Sequence, residues 1–211
     1  MNTPSDNSPG SHYFSESPTT ASRRSDFTIQ VGDRELTLSA DAGVFSQHGL
    51  DKGTAVLLDS LQRRERPHIE DGSIVCDLGC GSGAIALALA VLFPHCTVLA
   101  VDVNERARQL CSENAERNKI TNIWVAHPDD VSVDTSLELL WSNPPIRIGK
   151  SQLRDMLTLW LSRLSSTGRA HMVVSKNLGA DSLTDWLNSN GFTAHKLSSS
   201  KGFRVVEVKK T

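Results

Sequence analysis

No apolar run in this chain is longer than the ten residues from Ala84 to Phe93, about half of what a membrane-crossing helix requires. A membrane partner is therefore not expected. The amino terminus has no basic-then-apolar pattern of a secretory signal. Its four cysteines, Cys76, Cys80, Cys96 and Cys111, form neither a C-x-x-C pair nor a zinc-ribbon spacing. That excludes a metal site of those types and suits a reducing cytoplasm better than a disulfide framework. Excess positive charge is lacking as well: 22 Lys and Arg against 24 Asp and Glu leave a net charge of −2. Any nucleic acid would have to be held by a local patch rather than by the field of the whole molecule. No internal repeat is present.

Residues 1–25 are rich in Ser, Thr and Pro and poor in aliphatic residues, a composition with too little apolar surface to fold. A flexible tail is expected there. His12-Tyr13-Phe14 interrupts it, an aromatic pair that either packs on the core or stacks on a base. At 38% hydrophobic, the rest of the chain, 26–211, can bury the core of one domain. Within it, 26–48 reads as an accessory hairpin, because Phe27 to Val31 and Glu35 to Ser39 alternate around Gly32-Asp33.

Helices are expected at 53–64, at 84–93, at 105–118 behind the cap Asn104, and at 182–189. Leu153, Met156, Leu157, Trp160, Leu161 and Leu164 recur at helical spacing and read as core. Residues 192–197 and 203–208 would form a closing antiparallel pair. Strand–helix alternation predicts an α/β fold: a doubly wound, Rossmann-like sheet of seven strands, mostly parallel, with the seventh antiparallel.

The chemistry concentrates in two segments. The first is Asp77-Leu78-Gly79-Cys80-Gly81-Ser82-Gly83, between the β-branched run Ser73 to Cys76 and the helix-forming run Ala84 to Ala90. Gly79, Gly81 and Gly83 can take positive φ and let a ligand lie on the backbone. The first turn of the helix turns its unpaired N–H groups to the same place. Gly79, Gly81 and Ala84 also satisfy the dinucleotide fingerprint, and Asp102, about 20 residues on, fits a carboxylate that accepts ribose hydroxyls in either case. Asp77 favours S-adenosyl-L-methionine: a carboxylate at the mouth of the cradle repels pyrophosphate but suits ammonium and sulfonium charges.

The second segment is Trp141-Ser142-Asn143-Pro144-Pro145-Ile146, after the buried strand from Leu137. Two prolines cannot continue a ladder, so the chain must turn out at the strand's carboxyl end, where open α/β sheets bind ligands. The carbonyls of Asn143 and Pro144 and the Asn143 side chain together offer acceptors for a planar NH2 group. Held so, the nitrogen can be aimed at a methyl carbon for in-line displacement.

These two segments, with Val101-Asp102-Val103-Asn104 and the continuation Ile146-Arg147-Ile148-Gly149-Lys150, resemble class I S-adenosylmethionine-dependent methyltransferases of the methyltransferase small domain group. The best known members modify guanine N2 in small-subunit ribosomal RNA. The likeness extends to Asp41-Ala42-Gly43-Val44-Phe45-Ser46 and Gly53-Thr54, covering roughly residues 12–210. It implies a cofactor site in which Asp77, Gly79, Cys80, Gly81 and Gly83 border the methionine part and Asp102 with Val103 meets the ribose. Asp129, with Asp130 as its rival, stands near the adenine amino group. A helix N-terminus at Gly53 and Thr54 either meets the methionine carboxylate or is an ordinary cap.

Asn143 and Pro144 would be catalytic, and Pro145, Ile146, Arg147 and Lys150 would face the substrate, with Lys176, Lys196, Lys201 and Arg204 as further cations for RNA. The implied partner is small-subunit ribosomal RNA or its assembly intermediate. Two departures bear on the substrate: Ile146 stands where many amino methyltransferases carry an aromatic, and the additional amino-terminal domain of the larger ribosomal RNA enzymes has no room here. Protein glutamine N-methylation, a catalytically silent RNA-binding module and a nicotinamide-dependent oxidoreductase are the other readings.

Overall fold

The computed structural model describes residues 22–44 and 49–211, with Arg147 described by its backbone. The His12-Tyr13-Phe14 segment and most of the expected tail lie outside the described residues. Two antiparallel strands open the fold, β1 (Arg24–Val31) and β2 (Arg34–Asp41), turning at Gly32-Asp33 as the alternation predicts. Then follow α1 (Lys52–Gln62), β3 (Ile74–Leu78), α2 (Ala84–Leu92), β4 (Thr97–Val101), α3 (Glu105–Arg117), β5 (Ile123–Ala126), β6 (Leu137–Ser142), α4 (Lys150–Leu161), β7 (Leu164–Ser175), α5 (Ala180–Asn188), β8 (Phe192–Ser200) and β9 (Phe203–Lys210).

The main sheet has the order β5-β4-β3-β6-β7-β9-β8. Its pairs are parallel except where β9, the seventh strand, runs antiparallel between β7 and β8. From β3 the chain winds outward through β4 and β5, then returns to the other side of β3 as β6. The strand order reverses between β3 and β6, and loops leaving their carboxyl ends diverge there into a crevice. Leu78 and Ser142 are paired residues at the two strand ends, and Ser142 Oγ donates to Leu78 O at 2.7 Å. The glycine loop and the Asn-Pro-Pro turn thus leave the sheet side by side.

Side chains alternate across the sheet into two apolar layers. Val75, Val98, Leu139, Trp141, Val173 and Val205 pack beneath α1 and α2, while Cys76, Leu99, Leu140, Met172, Val174 and Val206 pack beneath α4 and α5. Leu164 continues the helical spacing of α4 but begins β7 opposite Leu137, because the helix has already closed at its cap, Ser162. The last helix starts two residues before its expected position, at Ala180, directly after the left-handed Gly179.

The hairpin is held by side chains that imitate a strand. Asn114 Oδ1 accepts from Ser39 N at 2.8 Å and its Nδ2 donates to Ser39 O at 2.9 Å. One turn on, Asn118 makes the same pair with Thr37 N and O at 3.0 and 2.8 Å. Two asparagines, Asn114 on α3 and Asn118 at its carboxyl cap, therefore satisfy the outer edge of β2, which otherwise would stand open. Asn114 Nδ2 also donates to Ser82 O at 2.8 Å, linking the hairpin to the glycine loop.

One polar pair crosses the apolar layer under α1: His171 Nε2 and Glu207 Oε2 lie 3.0 Å apart, both side chains largely buried. The hydrogen bond with His171 holds the Glu207 carboxyl at about 2, below its ordinary 4.5.

Asn114→Ala should lower the unfolding free energy by about 2 kcal/mol, since it strips partners from three backbone groups at once; urea denaturation measures it. Glu207, with a depressed folded pKa, contributes stability above about 4.5 that fades as pH falls toward about 2. The stability gap between wild type and Glu207→Gln should narrow across that window, and a gap constant with pH would contradict the pairing.

Candidate active site

Gly79 N and Cys80 N both donate to Val101 O, at 2.8 and 2.9 Å, which folds the glycine loop over the end of β4. Gly81 N donates to Asp102 Oδ2 at 2.9 Å, and Asn104 N to Asp102 Oδ1 at 2.9 Å. Arg108 Nη1 donates to the carbonyls of Asp102 and Val103. Each Asp102 oxygen keeps a lone pair, so the side chain can still accept from a diol. Burial raises the Asp102 carboxyl above its ordinary range, against the backbone hydrogen bonds that lower it.

Two cavities meet at Gly79 and Asn143, which line both. The larger, about 250 Å³, is walled mainly by apolar groups, among them Val103, Pro128, Met156, Leu159 and Trp160, with Asp102 at its floor. The smaller, about 30 Å³, is bounded by Phe27, Asp51, Thr54, Cys80 and Gly81. Gly79 has φ +79° and a Cβ there would meet nothing within 4 Å, so its bare backbone faces open space where a ligand can lie against it. An elongated molecule with a flat, largely apolar end, a diol and a narrow polar end fits this cleft. Adenosine and methionine halves meet that description, and Val103, Pro128 and Asp102 line the larger cavity.

Several expected contacts are placed differently. Asp77 is fully buried rather than at the mouth of the cradle, and it lines neither cavity. Its Oδ2 accepts from Ala86 N at 2.8 Å, anchoring the first turn of α2, and burial raises its carboxyl well above the ordinary range. Gly83 does not border the cleft: a Cβ there would fall 2.7 Å from Cys111 Sγ, so its bareness serves the approach of α2 to α3. Cys80 lines the smaller cavity, its thiol pushed up by contact with Cys111 and by burial. Asp129 is not brought to the cleft. Pro128 starts a 3-10 turn that carries Asp129 and Asp130 outward, leaving the Asp129 side chain 90% exposed, and Pro128 itself makes the wall.

The α1 N-terminus is an ordinary cap. Asp51 Oδ2 accepts from Gly53 N at 2.7 Å and Thr54 N at 3.1 Å, so those N–H groups are spent and a carboxylate already occupies their position. The same oxygen accepts from Asn143 Nδ2 at 2.8 Å, and Thr54 Oγ1 lies 3.1 Å from that nitrogen. Because a carboxylate can only accept, the Asn143 atom facing it must be the NH2. With both amide hydrogens committed to Asp51 and Thr54, Asn143 retains Oδ1 for a ligand.

The Asn-Pro-Pro turn also departs from expectation. Pro144 O already accepts from Ile146 N at 2.8 Å across Pro145, whose φ −75° and ψ 74° make an inverse γ-turn. That carbonyl is therefore only half free. Pro145 lines the larger cavity, but Ile146 turns away, packing against the layer under α4 and α5. Ile146 and Lys150 border a separate small pocket beside α5, and Arg147 lies in the short turn between them. Arg204 is ion-paired with Asp181, which removes it from the expected patch, whereas Lys176 N bonds Gly202 O and so adjoins the turn bearing Lys201.

Two contributions were not anticipated. Asp51 is legible only as a cap preceding Gly53-Thr54, and its link to Asn143 spans 92 residues. From the stripe on α4, expected to be core throughout, Met156 and the buried Trp160 also wall the cleft, joined by the exposed Leu159 from outside the stripe, while Leu157 and Leu161 do not line it.

Known proteins carry the same organisation. The family model "methyltransferase small domain" matches residues 35–207. The Bacillus subtilis protein YbxB is 34% identical over 202 residues, 94% of this chain and 98% of that protein. Ribosomal RNA small subunit methyltransferase C of Acinetobacter baumannii is 31% identical over 186 residues, 87% of this chain but 50% of the relative. The chain thus spans about half the length of the ribosomal RNA methyltransferases it matches. Among solved structures, the T. thermophilus 16S rRNA N2 G1207 methyltransferase (RsmC), in complex with AdoMet and guanosine, superposes with a TM-score of 0.75 at 22% identity, over 92% of this chain and 52% of that one. The chain belongs to the methyltransferase small domain family, whose methyl donor is S-adenosylmethionine.

Proposed function

We propose that this protein transfers a methyl group from S-adenosylmethionine to the exocyclic N2 of a guanine in ribosomal RNA. The observation that carries the reading is the fixed orientation of Asn143, whose Oδ1 is left as an acceptor where the two cavities meet. When bound, S-adenosylmethionine supplies an electrophilic methyl group on a positively charged sulfur. The task of the chain is to present a poor nucleophile to it. An amine conjugated to a ring donates its hydrogens, and Asn143 Oδ1 accepts one of them, turning the nitrogen lone pair toward the donor. As positive charge develops on nitrogen, that hydrogen bond strengthens, so it stabilises the transition state more than the ground state. The second hydrogen is left to the remaining lone pair of Pro144 O or to solvent, and the proton released afterwards passes to solvent.

Ribosomal RNA as substrate is supported by the activities named for the relatives. Base stacking would come from groups other than Ile146. Comparing methylated nucleosides in small-subunit ribosomal RNA from cells with and without the protein tests this directly: N2-methylguanosine should be missing without it. Unchanged RNA together with loss of methylglutamine from a protein would transfer the same amine grip to a glutamine amide.

Asn143→Ala should lower kcat by about 100-fold while leaving S-adenosylhomocysteine affinity by calorimetry within about threefold. Unchanged turnover would remove Asn143 from the mechanism. Asp51→Ala should lower kcat about tenfold and stability by about 1 kcal/mol through the lost cap. Asp51→Asn, whose amide oxygen can still cap the helix but whose NH2 no longer compels Asn143 to donate, should recover most of the stability and little of kcat.

A further inference from the structure

We infer that the sheet face beneath α1 and α2 carries a second small-molecule site, one that takes an oxyanion, a carboxylate or a phosphate, borne on an apolar body. A cavity of about 300 Å³ lies there, between the sheet and the carboxyl ends of those helices, and it shares no lining residue with the catalytic cleft. That volume would hold about ten waters and falls at the lower end of ordinary ligand pockets.

Its floor is a row of polar side chains across three neighbouring strands. Trp141 on β6 is paired with His171 on β7, which is paired with Glu207 on β9; Arg169 stands in the adjoining row beside Leu139. Trp141 and His171 are 4% and 6% exposed, yet Trp141 Nε1 and His171 Nδ1 have no hydrogen-bond partner among the described residues. Buried polar atoms are ordinarily paired, and both of these belong to side chains that line the cavity. An indole N–H can only donate, so its missing partner is an acceptor.

The charges point the same way. Glu207 is engaged by His171 at one oxygen, and at the other by His195 at 3.8 Å and Lys209 at 3.6 Å. Among the remaining lining groups, Arg64, Arg66 and Arg169 outnumber Glu65. Arg64 and Arg66 each donate to one carbonyl, Leu197 O and Leu92 O, leaving most of a five-donor fork unused. Leu92, Phe93 and Leu139 supply the apolar wall. An anionic head beside Trp141 and Arg169 with an apolar body against that wall would satisfy the orphaned indole N–H.

The test is nuclear magnetic resonance of the ¹⁵N-labelled full chain, observing the indole N–H signals, with Trp141→Phe identifying the Trp141 signal among the four tryptophans. Benzoate and inorganic phosphate are titrated separately against chloride at matched ionic strength. A saturable shift of the Trp141 signal is expected with at least one probe, and Arg169→Gln should weaken that binding about tenfold. Saturation by benzoate alone assigns the site to carboxylates, and by phosphate alone to phosphate-bearing ligands. No saturable shift with either up to about 10 mM, or a shift unaltered by Arg169→Gln, would overturn the proposal.

Discussion

One carboxylate oxygen organises the catalytic end of this molecule. Asp51 Oδ2 accepts from two backbone N–H groups at the start of α1 and from the side chain of Asn143 at the exit of β6. The first two bonds stop the helix from fraying and fix the carboxylate; the third uses that fixed carboxylate to orient an amide. An asparagine alone at a strand exit presents either its oxygen or its nitrogen to a ligand. Here the presence of an acid decides between them, because a group that can only accept compels the amide to donate. The sheet reversal between β3 and β6 brings Asn143 beside the glycine loop, but only the acid on α1 gives the side chain its chemical direction.

The same economy governs two acids at the end of the sheet, one lining the cleft and one buried beneath it. Asp77 and Asp102 end neighbouring parallel strands and both are raised by burial. Left without donors they would take up protons. Backbone N–H groups oppose this: Ala86 N for Asp77, Gly81 N and Asn104 N for Asp102. The glycine loop takes part through Gly81, whose N–H its bend places where Asp102 needs a donor. Asp51 and Asp102 line the two joined cavities, and carboxylates there favour a cation and repel a pyrophosphate.

How far the sequence foretold this divides along a physical line. Element order, the reversed sheet, the antiparallel β9 and the hairpin were all legible, because they follow from periodicity, glycine and proline punctuation, and the rule that sequential α/β units wind to one hand. Asp102, Val103, Gly79 and Asn143 were legible too, since strand ends converge at the crevice whatever the loops do. Asp129, Ile146 and the carbonyl of Pro144 were not. Each depends on which way a short turn faces: a 3-10 turn started by Pro128 throws Asp129 outward, and an inverse γ-turn at Pro145 occupies one lone pair of the Pro144 carbonyl. Asp77 was misplaced for a related reason. In a strand the alternation is fixed, and its position between Cys76 and Leu78, both in the layer under α4, puts it on the opposite face, under α2.

The strand's end, rather than its alternation, explains how one segment can serve two sites. Trp141 and Asn143 are two residues apart on β6, yet the tryptophan lines the cavity under α1 and α2 while the asparagine, beyond the strand's last residue, lines the cleft at its edge. Ladders with β3 on one side and β7 on the other hold β6 along its length, and the Ser142 hydroxyl fastens its end to Leu78 O. A displacement at Trp141 would have to break those bonds before moving Asn143, because close-packed interiors change by discrete rearrangement rather than by gradual bending. The orientation of Asn143 is thus insulated from the layer beneath it, and the element able to change that orientation is α1, whose first turn bears Thr54 and whose cap is Asp51.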